Sequence, residues 1–188
     1  MFIKAHMKKQ IAVFGNPGSY HHQVATEVYG TEANCTFCTQ FADVITQVVQ
    51  ENCTGILAIE NSLLGEIARN QQLLAESGLS IISMYDLPIE HYLITATPQN
   101  ITNLTEVHSH PAALAQSGQW LSLHPQLTAK PASDTAGAVK TICEANNPHQ
   151  AAIASQYAAN YYGGSTVAKI ATHQPNITTF AIISQKGT

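Results

Sequence analysis

Residues 11–19 read IAVFGNPGS, which is an apolar run, a tight glycine-proline turn and a serine. Ile11–Phe14 has the length and composition of a buried strand, and Gly15-Asn16-Pro17-Gly18 closes it as a turn. Ser19 can then cap a helix that runs to about Tyr29. This strand-turn-helix unit predicts an α/β protein.

The same alternation continues along the chain. Further strands are predicted at Cys35–Thr39, Gly55–Ile59, Leu79–Tyr85, His91–Ala96, Glu106–Ser109, near Ala129, Ala151–Ala154 and Phe180–Ile183. Helices are predicted at Val44–Glu51 with Asp43 as its cap, Gly65–Ser77, Ala112–Leu123, Asp134–Ala145 and Ser155–Tyr162. Alternation of this kind implies parallel sheets.

Pro88 marks a change of direction, after which the alternation starts again. We therefore expect two α/β lobes with a cleft between them. Residues 8–84 and the returning tail 172–188 form the first lobe, and residues 85–171 form the second. The ordered part of the chain is expected to begin near Lys8.

Composition excludes several classes of protein. The chain has 188 residues with 45% hydrophobic content, enough apolar surface for a folded core rather than a disordered chain. Eight basic residues against 12 acidic ones give a net charge of −4, so we expect no nucleic-acid partner. No stretch approaches the roughly 20 apolar residues of a membrane span, so no membrane partner is expected.

The cysteines and the amino terminus point to the cytoplasm. Four scattered cysteines in a chain of this length do not form a disulfide framework, and reduced thiols are expected. The first ten residues lack the apolar core of a signal peptide. We therefore expect a cytoplasmic protein.

No metal or cofactor motif is complete. Cys35-x-x-Cys38 is half of a zinc ligand set without a second pair, and His108 with His110 lacks a third ligand. The dinucleotide fingerprint, the nucleophile elbow and the phosphate-loop lysine are all absent from the sequence. We expect neither a metal nor a cofactor.

Five polar clusters remain, each with a bland alternative. Backbone N–H groups after Gly15 can hold an anion, or the glycines only make a turn. Glu60-Asn61-Ser62 and Ser109-His110-Pro111 end strands, where they can bind a ligand or staple a turn. Ser133-Asp134-Thr135 can be a helix cap, or the same N–H groups can bind a carboxylate. The fifth cluster, residues 176–180, leads into the last predicted strand, where it can be a turn or can bring hydroxyl and amide groups back to complete the cleft.

Together these clusters resemble a known family. Their order and spacing are similar to those of the catalytic domain of prephenate dehydratase. The motifs that carry the resemblance are Gly15-Asn16-Pro17-Gly18-Ser19-Tyr20, Ile59-Glu60-Asn61-Ser62-x-x-Gly65, Ser109-His110-Pro111 with Gln116, Asp134-Thr135-Ala136, Ala151–Ser155 and Asn176-x-Thr178-x-Phe180. The match runs from about Gln10 to Ile183. Several ordered motifs together are far more specific than any one.

The resemblance implies a fold and a reaction. The fold would be two-lobed and similar to type II periplasmic binding proteins, often dimeric, with prephenate held in the cleft. The reaction would expel the ring hydroxyl and ring carboxylate of prephenate together, giving phenylpyruvate, water and carbon dioxide on the route to phenylalanine. No redox cofactor or metal is needed.

The resemblance also implies roles for individual residues. Thr178 would be catalytic, near the leaving group, and the substrate would be bound by Ser19, Glu60, Asn61, Ser62, Ser109, Gln116, Thr135, Thr179 and Phe180. Within that set, Asn61, Ser109 and Gln116 would be polar contacts. Ser19, Ser62 and Thr135 would hold carboxylates with the adjacent helix N-termini.

The chain departs from the family pattern in two places. The family usually has arginine between the threonine and the phenylalanine, where this chain has Thr179. Losing a charge-assisted hydrogen bond of about 1.5–3 kcal/mol would slow the reaction roughly ten- to a hundredfold unless another group, such as Arg69 or Lys130, substitutes. Because the chain ends at Thr188, we also expect no regulatory ACT domain, and hence no feedback inhibition by phenylalanine within this polypeptide.

Two alternatives to prephenate dehydratase activity stay open from the sequence. A related enzyme could decarboxylate prephenate without loss of the hydroxyl, giving a non-aromatic product. A non-catalytic small-molecule-binding module could have kept the fold and lost the chemistry, for which Thr179 is the best support.

Overall fold

The computed structural model describes residues 9–31, 33–171 and 175–186. Two mixed sheets with helices packed against them form two lobes, which confirms the expected two-lobed α/β fold. The expected start near Lys8 and the expected return of the tail at Thr172 fall outside the described residues. Within the described ranges, no helix is both long enough and apolar enough to cross a bilayer.

The first sheet holds six strands in the order β2-β1-β3-β11-β5, with β4 paired to β3. Its strands are β1 (Gln10–Phe14), β2 (Asn34–Cys38), β3 (Thr54–Asn61), β4 (Gly65–Glu66), β5 (Ser80–Pro88) and β11 (Ile177–Ser184). Its helices are α1 (Tyr20–Tyr29), α2 (Phe41–Glu51) and α3 (Ala68–Ser77).

The second sheet holds five strands in the order β10-β6-β9-β7-β8. Its strands are β6 (His91–Thr95), β7 (Glu106–Ser109), β8 (Thr128–Pro131), β9 (Gln150–Ala154) and β10 (Ser165–Ile170). Its helices are α4 (Pro111–Gln116), α5 (Gly118–Ser122), α6 (Thr135–Ala145) and α7 (Gln156–Tyr162). A 3-10 turn covers Ile101–Asn103.

The central strands are apolar on both faces because helices cover both faces. In β1, Ile11 and Val13 face one core while Ala12 faces the other. In β11, Phe180 joins the first of these cores and Ala181 joins the second. The continuous apolar runs seen in the sequence follow from this double burial.

The expectation of parallel sheets is wrong in part. Strands β1, β2 and β3 are parallel, as are β7, β8 and β9. However, β11 runs antiparallel to both β3 and β5, and β6 runs antiparallel to β9 and β10. Neighbouring strands become parallel when a crossover, usually a helix, connects them. The antiparallel pairs are not connected in this way.

Several element boundaries also differ from the sequence prediction. Helix α2 begins at Phe41, and Asp43 lies in its first turn, where its carboxylate accepts from the Gln40 N–H at 3.0 Å. The predicted helix from Gly65 begins only at Ala68, because residues 65–66 pair with β3.

In the second lobe, the predicted helix 112–123 is two short helices that meet at Ser117. Strand β10 was not predicted.

The chain passes from the first sheet to the second at Ile89 and Glu90, between β5 and β6. Residues 85–88, which we assigned to the second lobe, pair with β11 in the first sheet. The chain is back in the first lobe by Asn176, which precedes β11. The described connection between the lobes is therefore the short segment Ile89–Glu90, and a cavity lies between the lobes.

Candidate functional site

A cavity of about 220 Å³ lies where the two lobes face each other. This volume suits a small molecule, since it is below the roughly 300–1,000 Å³ of pockets for drug-sized ligands. Its walls come from both lobes: Phe14, Gly15, Ser19, Tyr20, His21, Ala58, Asn61, Leu64, Ile67, Ile89, His91, His110, Ala112, Ala113, Gln116, Asp134, Thr135, Thr178 and Phe180.

A β-bulge aims Asn61 into this cavity. The pairing of β11 with β3 shifts by one residue between Thr179 and Phe180, so that Ile59 is an extra residue on β3. Ala58 and Asn61 are three residues apart and would lie on opposite faces of a regular strand, yet both line the cavity. The bulge therefore turns the end of β3 so that the amide of Asn61 faces the cavity.

Asn61 lies opposite Thr178 on the neighbouring strand β11. The Asn61 Nδ2 group donates to the Thr178 Oγ1 at 2.9 Å. The Asn61 Oδ1 accepts from the backbone N–H groups of Leu63 at 3.0 Å and Leu64 at 3.1 Å. Since the Thr178 oxygen accepts from Asn61, its own hydrogen stays available to donate elsewhere.

A hydrogen-bond chain leads from this pair into the second lobe. Asn61 Nδ2 also donates to Asn176 Oδ1 at 2.7 Å, and Asn176 Nδ2 donates to Gln116 Oε1 at 3.2 Å. Gln116 Oε1 lies 2.8 Å from Nε2 of His91, whose Nδ1 lies 3.1 Å from the Tyr20 hydroxyl. The chain thus links polar residues of both lobes around the cavity.

Other contacts between the lobes flank the cavity. The Asn16 Nδ2 donates to Asp134 Oδ2, and the Tyr162 hydroxyl donates to the Pro17 carbonyl at 2.7 Å. Gly137 lies beside the first contact, where a Cβ atom would be 2.8 Å from Asp134 Oδ2 and 2.9 Å from Asn16 Nδ2. A side chain at position 137 would therefore displace the ends of Asp134 and Asn16 and disturb this contact between the lobes.

The electrostatics of the cavity rest on helix ends rather than on basic side chains. Helices α1 and α6 begin at the cavity, with Ser19 and Asp134 as their caps. The N-terminal ends of helices carry partial positive charge and free N–H groups. No lysine or arginine lines the cavity within the described ranges, where Arg69 and Lys130 lie elsewhere on the surface.

Two buried imidazoles of the cavity stay neutral near pH 7. Burial lowers the pKa of His21 to about 3, and its Nε2 accepts from the Ala58 N–H at 3.3 Å. Burial also lowers the pKa of His91 from its ordinary value, although the hydrogen bond to Gln116 opposes this shift. Neither ring provides a fixed positive charge at neutral pH.

The structure places six of the sequence-predicted site residues at the cavity. These are Ser19, Asn61, Gln116, Thr135, Thr178 and Phe180. The Ser19 hydroxyl is occupied as a helix cap, since it donates to the Phe14 carbonyl at 3.1 Å and accepts from the His22 N–H at 3.3 Å. The backbone N–H of Ser19 also donates to the Asn16 carbonyl at 3.0 Å, so Ser19 marks the start of α1 at the cavity while its own polar groups are already paired.

Four other predicted residues do not line the cavity. Glu60 is exposed on β3, and Thr179 donates to Asp86 Oδ1 at 2.7 Å on β5. The exposed Ser62 hydroxyl donates to the Pro175 carbonyl at 2.9 Å and accepts from the Ile177 N–H at 2.9 Å. The fully buried Ser109 hydroxyl donates to the Ile153 carbonyl at 2.6 Å.

Sequence reasoning missed residues that the structure brings to the site. Tyr20 and Asn176 occur in the motifs quoted above but were not assigned a role. His91 opens an apolar strand, and nothing in the local sequence distinguishes it from a structural histidine. No cluster of three or more His, Cys, Asp or Glu side chains that could hold a metal ion occurs in the described part of the chain.

Comparison with known proteins identifies what the chain resembles. A family model described as prephenate dehydratase matches residues 11–188. The bifunctional chorismate mutase/prephenate dehydratase of Escherichia coli K12 is 29% identical over 94% of this chain and 47% of its own length. Arogenate dehydratase/prephenate dehydratase 2 of Arabidopsis thaliana, a chloroplastic protein, is 36% identical over 94% of this chain and 46% of its own length.

A solved structure shares the fold. Prephenate dehydratase from Arthrobacter aurescens, in complex with L-Phe, superposes with a TM-score of 0.84 at 24% identity and covers 95% of this chain. The match covers 61% of that protein's chain. The present chain spans about half the length of the curated relatives that it matches.

Proposed function

The chain belongs to the prephenate dehydratase family, and on that premise we propose that it converts prephenate to phenylpyruvate as part of aromatic amino acid biosynthesis. The reaction takes the prephenate dianion and one proton to the phenylpyruvate monoanion, carbon dioxide and water. The observation that carries the proposal is the Thr178–Asn61 pair, which leaves one hydroxyl hydrogen free to donate at a cavity lined by residues of both lobes.

Thr178 is proposed to donate a hydrogen bond to the ring hydroxyl as it leaves. The C–O bond to the ring hydroxyl breaks together with the C–C bond between the ring and its carboxylate. The electrons of that C–C bond move into the ring, which becomes aromatic. Negative charge grows on the departing oxygen, so a hydrogen-bond donor placed there stabilises the transition state more than the ground state. The Asn61 amide, which donates to Thr178 Oγ1 at 2.9 Å, would stabilise the hydroxyl in this role.

The carboxylates of the substrate are proposed to lie near the N-terminal ends of α1 and α6. Backbone N–H groups and the helix dipole favour an anion there, and Ser19 and Thr135 mark the two ends. The carboxylate that leaves as carbon dioxide needs a poorly hydrated wall, because it loses its charge in the reaction. Phe180, Ile67 and Ile89 are apolar lining residues that can provide one.

We propose that the enzyme acts as a cytoplasmic homodimer with prephenate as its small-molecule partner. Strand β5 is an edge strand of the described first sheet, and its exposed apolar residues are Ile81, Ile82 and Met84. An exposed apolar edge strand is a site for pairing with another chain. The four free cysteines fit a reducing compartment.

Light scattering tests the dimer. Met84→Lys should shift the protein toward monomer, whereas Leu123→Lys, which places the same charge at an exposed leucine of the other lobe, should not. A wild-type protein that is monomeric at micromolar concentration would contradict the proposed homodimer.

One assay tests the reaction and separates it from its alternatives. Purified protein is incubated with prephenate while phenylpyruvate is followed by its alkaline absorbance and carbon dioxide is collected. Both products together support dehydratase activity. Carbon dioxide without phenylpyruvate would indicate a decarboxylase, and saturable binding of prephenate without turnover would indicate a binding module.

The same assay with arogenate tests substrate choice. The Arabidopsis relative is described with both arogenate and prephenate dehydratase activities. Arogenate carries an ammonium group where prephenate carries a ketone, and a site that prefers it would need an unpaired carboxylate nearby. Asp134, the acidic residue of the lining, already accepts from Asn16 and from the Gly137 N–H. We therefore expect the higher kcat/KM with prephenate.

A further inference from the structure

We propose that His91 is a positioning residue that fixes the side-chain amide of Gln116 so that its amino group, and not its oxygen, faces the cavity. A chain of hydrogen bonds runs from the backbone of the first lobe through three side-chain amides to His91, and the structure determines which group donates in each bond. The three amides are those of Asn61, Asn176 and Gln116. Only the identity of the molecule that meets the amino group rests on the proposed function.

The chain of hydrogen bonds starts at a group with no freedom of orientation. Backbone N–H groups can only donate, and those of Leu63 and Leu64 both point to one end of the Asn61 amide, at 3.0 and 3.1 Å. That end must be the oxygen. The other end is the amino group, which donates to Thr178 Oγ1 and to Asn176.

The direction passes unchanged through Asn176. Its end nearest to Asn61 receives a hydrogen at 2.7 Å, so this end is the oxygen Oδ1. The amino group of Asn176 is then the end that lies 3.2 Å from Gln116, and the Gln116 end facing it must be an oxygen. Asn176 is 4% exposed, so reversing it would leave buried polar groups facing like groups, at a cost of about 1–3 kcal/mol each.

The same Gln116 oxygen fixes the protonated nitrogen of His91. Nε2 of His91 lies 2.8 Å from Gln116 Oε1, and two groups at this distance need a hydrogen between them. Because the amide oxygen has none, Nε2 carries it. If the ring carried its proton only on Nδ1, the lone pair of Nε2 would face the lone pairs of Gln116 Oε1, and no hydrogen bond would form.

The Tyr20 hydroxyl completes the surroundings of the imidazole. Its oxygen lies 3.1 Å from His91 Nδ1 and 2.9 Å from the Glu90 backbone carbonyl. Tyr20 is the titratable group in contact with the ring in the described structure, and burial raises its pKa, so it keeps its proton. With Nε2 protonated, Nδ1 of the neutral ring carries a lone pair, so Nδ1 and the Glu90 carbonyl, to which Tyr20 donates, share the single hydroxyl hydrogen of Tyr20.

This arrangement decides what a ligand meets. Two donors, Asn176 and His91, occupy the Gln116 oxygen, and the structure places no partner on the Gln116 amino group in its described part. Gln116 lines the cavity, so the amino group is the end that remains for a ligand. Because the described residues that line the cavity include no lysine or arginine, this donor contributes to holding an anionic or hydroxyl-bearing substrate such as prephenate.

Two substitutions of His91 separate positioning from packing. Glutamine extends to the Nε2 end of the imidazole and can still donate to Gln116, whereas asparagine reaches only the Nδ1 end and cannot. We expect His91→Asn to raise the KM for prephenate tenfold or more, with a smaller effect on kcat, because the amide of Gln116 then becomes free to turn. The KM of His91→Gln should lie at least fivefold below that of His91→Asn.

Gln116→Glu tests the group that faces the cavity. A carboxylate keeps an oxygen for Asn176 and His91 but replaces the amino group by a second oxygen. We expect its KM for prephenate to exceed even that of His91→Asn, since an anion then faces an anion. An unchanged KM would contradict the proposed orientation.

An NMR measurement tests the proton position without any substrate. Long-range proton–nitrogen spectra of protein labelled with ¹⁵N-histidine distinguish Nε2–H from Nδ1–H rings, and the signal missing from His91→Gln identifies His91 among the nine histidines. At pH 8 we expect the Nε2–H form. Observation of the Nδ1–H form would overturn the proposal. Equal KM values together with equal losses of Tm in His91→Asn and His91→Gln would also overturn it. If the wild-type protein does not turn over prephenate, the proposed function fails while the spectrum still decides the orientation.

Discussion

The Thr179 hydroxyl donates a hydrogen bond to the Asp86 carboxylate, 2.7 Å away at the directly opposed position of β5. Thr178 precedes it on β11 but faces the cavity, because neighbouring residues of a strand point to opposite faces. An arginine side chain at position 179 would lie on the face of the sheet that carries Asp86, away from the cavity. We therefore expect Thr179→Arg to pair with Asp86 at the sheet edge and to change kcat/KM for prephenate less than threefold.

Steady-state kinetics with prephenate checks this expectation. Exposed ion pairs contribute about 0–1 kcal/mol, so the melting temperature should change little. The double variant Thr179→Arg with Asp86→Ala is the control, since it removes the partner. A rise of tenfold or more in kcat for the single variant would show that the guanidinium reaches the site.

Replacing Thr178 removes the hydroxyl that faces the cavity. We expect Thr178→Ala to lower kcat about a hundredfold or more, the usual range for loss of one hydrogen-bond donor aimed at the charge that develops in the transition state. Asn61 keeps its bond to Asn176 in this variant, so the fold should survive, as judged by circular dichroism and Tm. Thr178→Ser retains the hydroxyl and should keep most of the activity. Near-normal turnover in Thr178→Ala would remove Thr178 from the proposed mechanism.

Gly137 allows the two lobes to meet through Asn16 and Asp134. In a helix, alanine is ordinarily about 1 kcal/mol more favourable than glycine. Here its Cβ would lie 2.8 Å from Asp134 Oδ2, so we expect Gly137→Ala to raise the KM for prephenate severalfold. Asn16→Ala should give a similar rise, because it removes the same contact without a steric clash.

Gly118→Ala is the matched control for Gly137→Ala, since a Cβ at Gly118 meets nothing within 4 Å. Its KM should equal that of the wild type. Equal KM values for Gly118→Ala and Gly137→Ala would show that this contact between the lobes does not matter for binding.

His21 makes the stability of the fold depend on pH. In the unfolded chain its imidazole takes up a proton below about pH 6.5, whereas in the folded protein burial lowers the pKa to about 3. Between pH 6.5 and 3 the unfolded state binds more protons, so the free energy of unfolding should fall as the pH falls. A single group of this kind contributes up to about 1.4 kcal/mol per pH unit.

Urea unfolding at several pH values measures this slope. His21→Phe keeps a ring among Phe14, Phe41 and Phe180 but cannot titrate. It also loses the acceptor for the Ala58 N–H, so it should be less stable at pH 7 yet show a shallower pH dependence. His149→Gln, at an exposed position, should leave the slope unchanged. Parallel slopes for wild type and His21→Phe would exclude His21 as the source.

The order of strands and helices could be read from the sequence because most elements carry local signals. Ser19, Asp134 and Ser155 cap helices as their residue types favour. The direction of β5, β6, β10 and β11 could not be read, because direction depends on which distant strand becomes the neighbour. No local pattern encodes that choice.

The site shows the same division between local and distant information. Asn61 and Thr178 were chosen from motifs, and they lie in one cavity. Ser109 was chosen in the same way, yet it shares a strand face with the buried Val107, so its hydroxyl points into the core. That alternation was readable from the sequence. The bulge at Ile59, which turns Asn61 toward the cavity, could not be read from the sequence. It depends on pairing with β11, which lies more than 115 residues later in the chain.

Strand β11 lies between β3 and β5 in the first sheet, although it comes after every other described strand in the sequence. A ribosome makes residues 91–170 before residues 177–184, so the second lobe can complete its sheet while the first still has a gap at its centre. During that interval β5 has no neighbour, and Thr178 does not yet exist. The nascent chain should therefore acquire its cavity only when β11 closes the first sheet, a single event that also delivers the hydroxyl of Thr178.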